Sequence, residues 1–310
     1  MRIASLLASA TEIVYGLGLE KQLVAISHEC DYPPEALAKP RVSRPRFDPQ
    51  GLDSGAIDRA VRAAMAGHGS VYVLDEDRLG AVDPELILTQ AVCEVCAVPT
   101  SLAQEAARVL GREPRILSLD AHSVGEVMES IRLVGEAAGV PPDRVSRYVT
   151  SLRTRIEAVE AWVHGAAQPR VLAIEWLDPP FVPGHWTPEM ITLAGGANVL
   201  GEAGEPSREV AWEELAETDP DVLIVMPCGY GLDAAKADAD RHATHLIAVA
   251  ERAIESGHAF VVDGSAYFNR SGPRLVDGIE ILAALLHPER FDDDLDGCAA
   301  RWEPAVPSKK

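Results

Sequence analysis

Aromatic residues are scarce in this 310-residue chain, at 5% of the total. Long apolar runs are also missing. No stretch approaches the ~18 uninterrupted apolar residues that a membrane-spanning helix needs, so membrane insertion is excluded. Positive charge is in short supply: 28 Lys and Arg stand against 48 Asp and Glu, for a net charge of −20. Such a surface repels nucleic acid and anionic membranes, and no Lys/Arg-rich run offers a local exception. The five cysteines, Cys30, Cys93, Cys96, Cys228 and Cys298, are too few and odd in number for a secreted disulfide framework. Reduced thiols are expected. The opening residues lack the charged, apolar and small-residue zones of a signal peptide. The expected location is therefore cytoplasmic, or periplasmic or extracellular only if a leader was removed. GxSxG, Walker, HExxH and strand-following GxGxxG patterns are all absent. That favours binding over catalysis.

What is present is a globular composition, 47% hydrophobic and 25% charged, in a chain long enough for two lobes. Short apolar runs alternate with helical patterns. RIASLLA, QLVAIS, SVYVLD, LILTQ and RILSLD read as strands in the first part of the chain. Ser9 stands three residues before Glu12, the capping-box spacing, and Ser123 stands likewise before Glu126. The second pattern opens a helix with Val124, Val127, Met128, Ile131 and Val134 on one face. RVLAIEW, DVLIVMP and AFVVDG are later strands. PEMITLAGG, HATHLIAVAERAIES and RLVDGIEILAALLHP are later helices. Strand–helix alternation predicts doubly wound, largely parallel sheets.

Between the two alternating regions lies one long helical pattern. Val145, Val149, Leu152, Ile156, Val159 and Val163 recur at spacings of three and four, over ~37 Å at 1.5 Å per residue. The predicted fold class is therefore α/β, with two Rossmann-like lobes joined by one long rigid helix. The boundaries are 1–140 for the N-terminal lobe, 141–167 for the helix, 168–290 for the C-terminal lobe and 291–310 for an irregular tail.

Ligands of open α/β sheets bind beyond the carboxyl ends of the strands. The residues immediately after the strands are therefore the candidates: Ser9, Thr11, Glu12, His28 and Tyr32 in the first lobe, and Trp176, Tyr230, Tyr267 and Phe268 in the second. His185 and Trp186 lie in the segment PPFVPGHW, read as an irregular loop. The few aromatic residues concentrate at these positions, which points to a large, flat or apolar ligand. Core packing is the competing reading for Trp176 and Trp186, and a hydrophobic staple for Trp212. Cys93 and Cys96 form a CxxC. With His28 and Cys30 they make a Cys3His set suited to zinc if the strand ends converge. The competing reading is small buried thiols filling turns. Glu175 and His185 could serve as acid and base or as metal ligands, but nothing supplies a nucleophile beside them.

The segments RIASLLASATEIVYGLGLEKQLVAISHECDYPPEA, LILTQAVCEVCAV, EWLDPPFVPGHWTPEMITLAGG and AYFNRSGPRLVDGIEILAALLHPE resemble the cobalamin-binding branch of the helical-backbone (class III) periplasmic substrate-binding proteins. The resemblance covers about residues 2–290. It implies a corrinoid such as cobalamin held in the cleft between two lobes, by a substrate-binding or intracellular carrier protein. It also implies docking of one acidic residue per lobe, Asp77 and Glu213 at the similar positions, on arginines of an importer permease. Haem or iron-siderophore binding is an alternative within the same resemblance. A metal-binding protein or metal-dependent enzyme using the Cys/His cluster is another. His185 is a candidate axial imidazole. A longer stretch between about Arg44 and Ser70 departs from simple members.

Overall fold

Runs of apolar residues with no polar alternation become strands buried on both faces, as parallel sheets require. The computed structural model describes residues 1–91, 98–108, 113–291 and 295–304, which form two α/β units. The first comprises Met1–Leu52, Ile57–Leu152 and Ser271–Pro273, and the second Asp53–Ala56, Arg153–Arg270 and Arg274–Lys310.

In chain order the first unit contains β1 (Ile3–Ser5), α1 (Ala8–Gly16), β2 (Leu23–Ile26), β3 (Ser43–Pro45), α2 (Ser54–His68), β4 (Tyr72–Leu74), α3 (Glu76–Val82), β5 (Leu86–Thr89), α4 (Thr100–Ala107), β6 (Arg115–Ser118) and α5 (Val124–Ala137). The first turn of α2 groups with the second unit. Strands β2-β1-β5-β6 form one sheet, parallel throughout. SVYVLD does not join it. Its strand β4 pairs antiparallel with β3 in a separate two-stranded sheet. The Arg44–Ser70 stretch thus supplies most of β3 and all of α2. Ser123 caps α5 as predicted, its Oγ accepting the Glu126 N–H at 3.2 Å. Glu126 Oε2 accepts the backbone N–H of His122 at 2.6 Å. The Ser9–Glu12 box does not form. Helix α1 starts at Ala8 after Leu7, with no side-chain cap, and Ser9 lies fully buried inside its first turn.

Helix α6 (Pro142–Val163) runs from the first unit into the second. Val145, Val149, Leu152, Ile156 and Val159 are all buried. In the second unit Arg155 on this helix donates to Asp277 and to Glu280, the latter through Nε at 2.8 Å.

The second unit continues with β7 (Arg170–Ile174), β8 (Trp176–Leu177), β9 (Pro180–Val182), α7 (Thr187–Leu193), β10 (Ala197–Asn198), β11 (Arg208–Glu209), α8 (Trp212–Ala216), β12 (Val222–Val225), α9 (Leu232–Arg241), α10 (Ala243–Glu255), β13 (Ala259–Val262), α11 (Gly264–Tyr267), α12 (Leu275–Leu286) and β14 (Ala299–Arg301). The order of its main sheet is β10-β7-β12-β13-β14, parallel except for β14.

Two expectations are corrected here. PPFVPGHW is not wholly irregular, because β9 lies between β8 and β11 in a small antiparallel sheet. The tail is not wholly irregular either. Strand β14 extends the main sheet and brings Trp302 into the core at 1% exposure. Among the described residues, no helix is long and apolar enough to cross a membrane.

Candidate functional site

In the first unit the strand ends of β1 and β2 converge on a buried polar group. Ser5, Thr11, Ser27 and Cys30 are all at 1% exposure or less. The Thr11 hydroxyl lies 2.9 Å from Ser5 Oγ and 3.1 Å from Cys30 Sγ, and Ser27 Oγ lies 3.3 Å from the same sulfur. Cys30 is therefore caged by hydroxyls. Ser9 Oγ stands 3.5 Å from Ser271 Oγ, and Glu12 is buried on the same helix.

His28 is held from three sides. Its backbone N–H donates to Ser43 Oγ at 3.1 Å, and its Nδ1 lies 2.7 Å from the same oxygen. Its Nε2 lies 3.1 Å from Glu29 Oε1. Its ring centroid is 5.0 Å from that of Tyr72. Of the expected zinc set, Cys93 and Cys96 lie outside the described residues. The other two members have their side chains committed to Ser43, Glu29, Thr11 and Ser27. Among the described residues, no group of three or more His, Cys, Asp or Glu side chains is placed to hold a metal ion. Tyr32 is exposed, as are the expected docking acids Asp77 and Glu213.

The strand ends of the second unit carry the aromatic face. Trp176, on β8, is half-buried and donates its indole N–H to the Asp178 carbonyl at 3.1 Å. The Tyr230 ring meets it edge-on, with centroids 5.4 Å apart. Tyr230 is fixed through its backbone: its carbonyl accepts the Ser265 N–H at 3.1 Å. Burial, and next the negative charge of Asp238, push the Tyr230 phenol up to about 12, with Arg241 opposing them. Asp238 is fully buried on α9, its Oδ1 accepting from Ser54 Oγ at 3.2 Å and lying 3.5 Å from the Arg241 guanidinium.

Tyr267 closes α11. The Cys298 thiol donates to its hydroxyl at 3.2 Å, and the Arg274 guanidinium lies 4.5 Å over its ring. Burial foremost, then the Cys298 hydrogen bond, raise the Tyr267 phenol above its ordinary range. Arg270 Nη2 donates to Ser265 Oγ at 3.0 Å.

Two expected ligand contacts prove to be core residues. Phe268 is fully buried and Trp186 is 8% exposed. The Trp186 indole N–H donates to the Phe268 carbonyl at 2.6 Å, the buried partner that a core tryptophan needs. His185 stacks on Trp186, with centroids 5.6 Å apart, and has a left-handed backbone at φ 50°. A non-glycine residue keeps this conformation only where its surroundings over-determine it. Here His185 N–H donates to Glu205 O, and Gly204 N–H donates to His185 O. Gly184 packs so closely on the same loop that a Cβ would stand 2.1 Å from the Glu205 carbonyl oxygen.

Sequence reasoning singled out Tyr267 but not the neighbouring arginines, although both lie in the quoted segment AYFNRSGPRL. It also missed Asp238. The signal was an acid sharing one helix face with Ala235 and Ala239, both fully buried.

Comparison with known proteins adds four findings. A family model described as "Periplasmic binding protein" matches residues 3–263. A vitamin B12-binding protein of Vibrio cholerae is 23% identical over 288 residues, 92% of this chain and 88% of the relative. Among solved structures, the periplasmic vitamin B12 binding protein of Vibrio cholerae aligns with a TM-score of 0.66 at 20% identity, covering 93% of this chain and 96% of that one. A periplasmic heme binding protein from Pseudomonas aeruginosa aligns with a TM-score of 0.73 at 20% identity, covering 99% of both.

Proposed function

This chain belongs to the periplasmic binding protein family, and from that premise we propose that it is a non-catalytic substrate-binding protein whose ligand is a corrinoid of the cobalamin type. The observation that carries the reading is the Trp176–Tyr230 pair at the strand ends of the second unit. Two edge-on rings, one half-buried on a short antiparallel strand, suit the apolar face of a macrocycle. Each ring of this kind can bury ~150–250 Å². The similarity to a vitamin B12-binding protein over 92% of the chain supports the corrinoid. The exposed acids Asp77 and Glu213 would meet basic residues of an importer permease, one from each unit.

Haem is the second reading, favoured by the heme binding neighbour that aligns over the full chain. A titration separates the two. Purified protein is mixed with cyanocobalamin or with haemin, and the ligand absorption band and tryptophan fluorescence are followed. Saturable one-to-one binding of cyanocobalamin, tighter than that of haemin, is expected. Saturation by haemin with no response to cyanocobalamin would replace the corrinoid with haem.

A further inference from the structure

The Tyr230 hydroxyl does not anchor its own ring. Its Oη is shut off from solvent and meets no hydrogen-bonding atom among the described residues. Its backbone is fixed, with the N–H donating to the Pro227 carbonyl and the carbonyl accepting from the Ser265 N–H, both at 3.1 Å. The tilt of the ring toward Trp176 is therefore set by what packs around its hydroxyl end. After burial, the charges that act on this phenol are those of Asp238, Arg241 and Asp53. They come from two elements of the second unit. One is α9, which begins two residues after Tyr230 and carries Asp238 and Arg241. The other is the first turn of α2, where Asp53 Oδ1 accepts the Ala56 N–H at 2.7 Å.

One buried bond joins these elements. Ser54 and Asp238 are both fully buried, and Ser54 Oγ donates to Asp238 Oδ1 at 3.2 Å. The other oxygen, Oδ2, has no partner among the described residues. Loss of the Ser54 hydroxyl would leave Asp238 to Arg241 and His242, both at the end of its own helix, and would remove the bond between α9 and α2.

Resting on the ligand face proposed above, we infer that Ser54 and Asp238 are positioning residues for the ligand: their bond closes a wall behind the hydroxyl end of Tyr230 and holds its ring edge-on to Trp176 before the ligand arrives. A ring already fixed in its bound pose loses less freedom on binding, so affinity rises without a new contact. Neither residue touches the ligand, and both act through Tyr230. The stretch between Arg44 and Ser70 thereby gains a task at the site.

Full-length protein is titrated with cyanocobalamin and with haemin, and release is followed by stopped-flow tryptophan fluorescence. The variants are Ser54→Ala, Asp238→Asn (which keeps the shape and removes the charge) and Tyr230→Ala, with each of the first two also combined with the third. Thermal melts accompany every variant. The probe that binds wild type more tightly is the one compared. Tyr230→Ala should weaken it. Ser54→Ala and Asp238→Asn should each weaken it by about fivefold, the size of one hydrogen bond, mainly through faster release. In the Tyr230→Ala background the same two substitutions should change affinity by less than about twofold, because the ring they position is gone. Losses of equal size in both backgrounds would overturn the inference and leave the bond a matter of stability alone. So would wild-type affinity in Ser54→Ala and Asp238→Asn while Tyr230→Ala binds weakly, and the ligand face would then stand without the positioning. Tyr230→Ala that binds as wild type does, or wild-type protein that binds neither probe, removes the ligand face itself and the inference with it.

Discussion

The indole N–H of Trp302 donates to Asp240 Oδ1 at 2.9 Å, so the last strand of the second unit is pinned to the end of helix α9. Trp302 also packs with Leu172, Leu223, Leu246 and Val261 in the unit's main apolar cluster. The C-terminal segment is thus part of the core. Trp302→Ala should lower stability by about 3–5 kcal/mol, the usual cost of truncating a buried Trp. Trp302→Phe should recover much of it, because burial outweighs a single hydrogen bond to an exposed carboxylate. Urea melts check this, and an alanine variant within ~0.5 kcal/mol of wild type would place the segment outside the core.

Trp176 and Trp186 should respond differently to the same substitution. Trp176→Ala is expected to weaken corrinoid binding by about 1–3 kcal/mol, the worth of one buried apolar contact, with little change in melting temperature. Trp186→Ala should cost about 3–5 kcal/mol of stability instead, because its ring is buried and its N–H is bonded to the Phe268 carbonyl. Paired melting and binding curves decide it. Unchanged stability in Trp186→Ala would show that the ring is not a core element.

This contrast marks what sequence could tell. Apolar runs located the parallel strands except the two-residue β10, and periodicity located helix α6 and its buried stripe from Val145 to Val159. Position after a strand singled out Trp176, Tyr230 and Tyr267, all of which are half-buried. It could not tell Trp176, on a short antiparallel strand, from Trp186, seated ten residues later on the carbonyl of Phe268. That difference depends on partners 82 residues apart in sequence. The Ser9 capping box failed for a related reason. The spacing to Glu12 was right, but the helix had already begun at Ala8. β14 was missed because its three residues, AAR, carry too little apolar alternation to stand out.

The cage around Cys30 makes a chemical prediction. A thiol at 0% exposure, surrounded by the hydroxyls of Thr11 and Ser27, should resist alkylation in the folded protein. Cys228 and Cys298 are only partly buried and should label before Cys30. Mass-spectrometric peptide mapping after brief native treatment with iodoacetamide checks the order. Labelling of Cys30 as fast as Cys228 would contradict the cage.

Alkaline stability should fall with a slope set in part by Tyr230. Its phenol stands at about 12 in the folded chain, against roughly 10 for an unfolded tyrosine. Below pH ~10 the phenol is neutral in both states and contributes no pH dependence. Between about 10 and 12 the unfolded chain releases the proton while the folded chain keeps it. The folded state then binds more protons, so raising the pH favours unfolding. Tyr267, shifted in the same direction, adds to this slope. Tyr230→Phe removes one ionisation and should flatten the decline in stability above pH 10. It should leave the profile between pH 7 and 9 parallel to that of wild type. Urea midpoints measured at half-unit steps of pH test this, with ultraviolet titration of phenolate to count the late-ionising tyrosines. A Tyr230→Phe curve that runs parallel to wild type through pH 12 would mean that burial and Asp238 do not hold the Tyr230 proton.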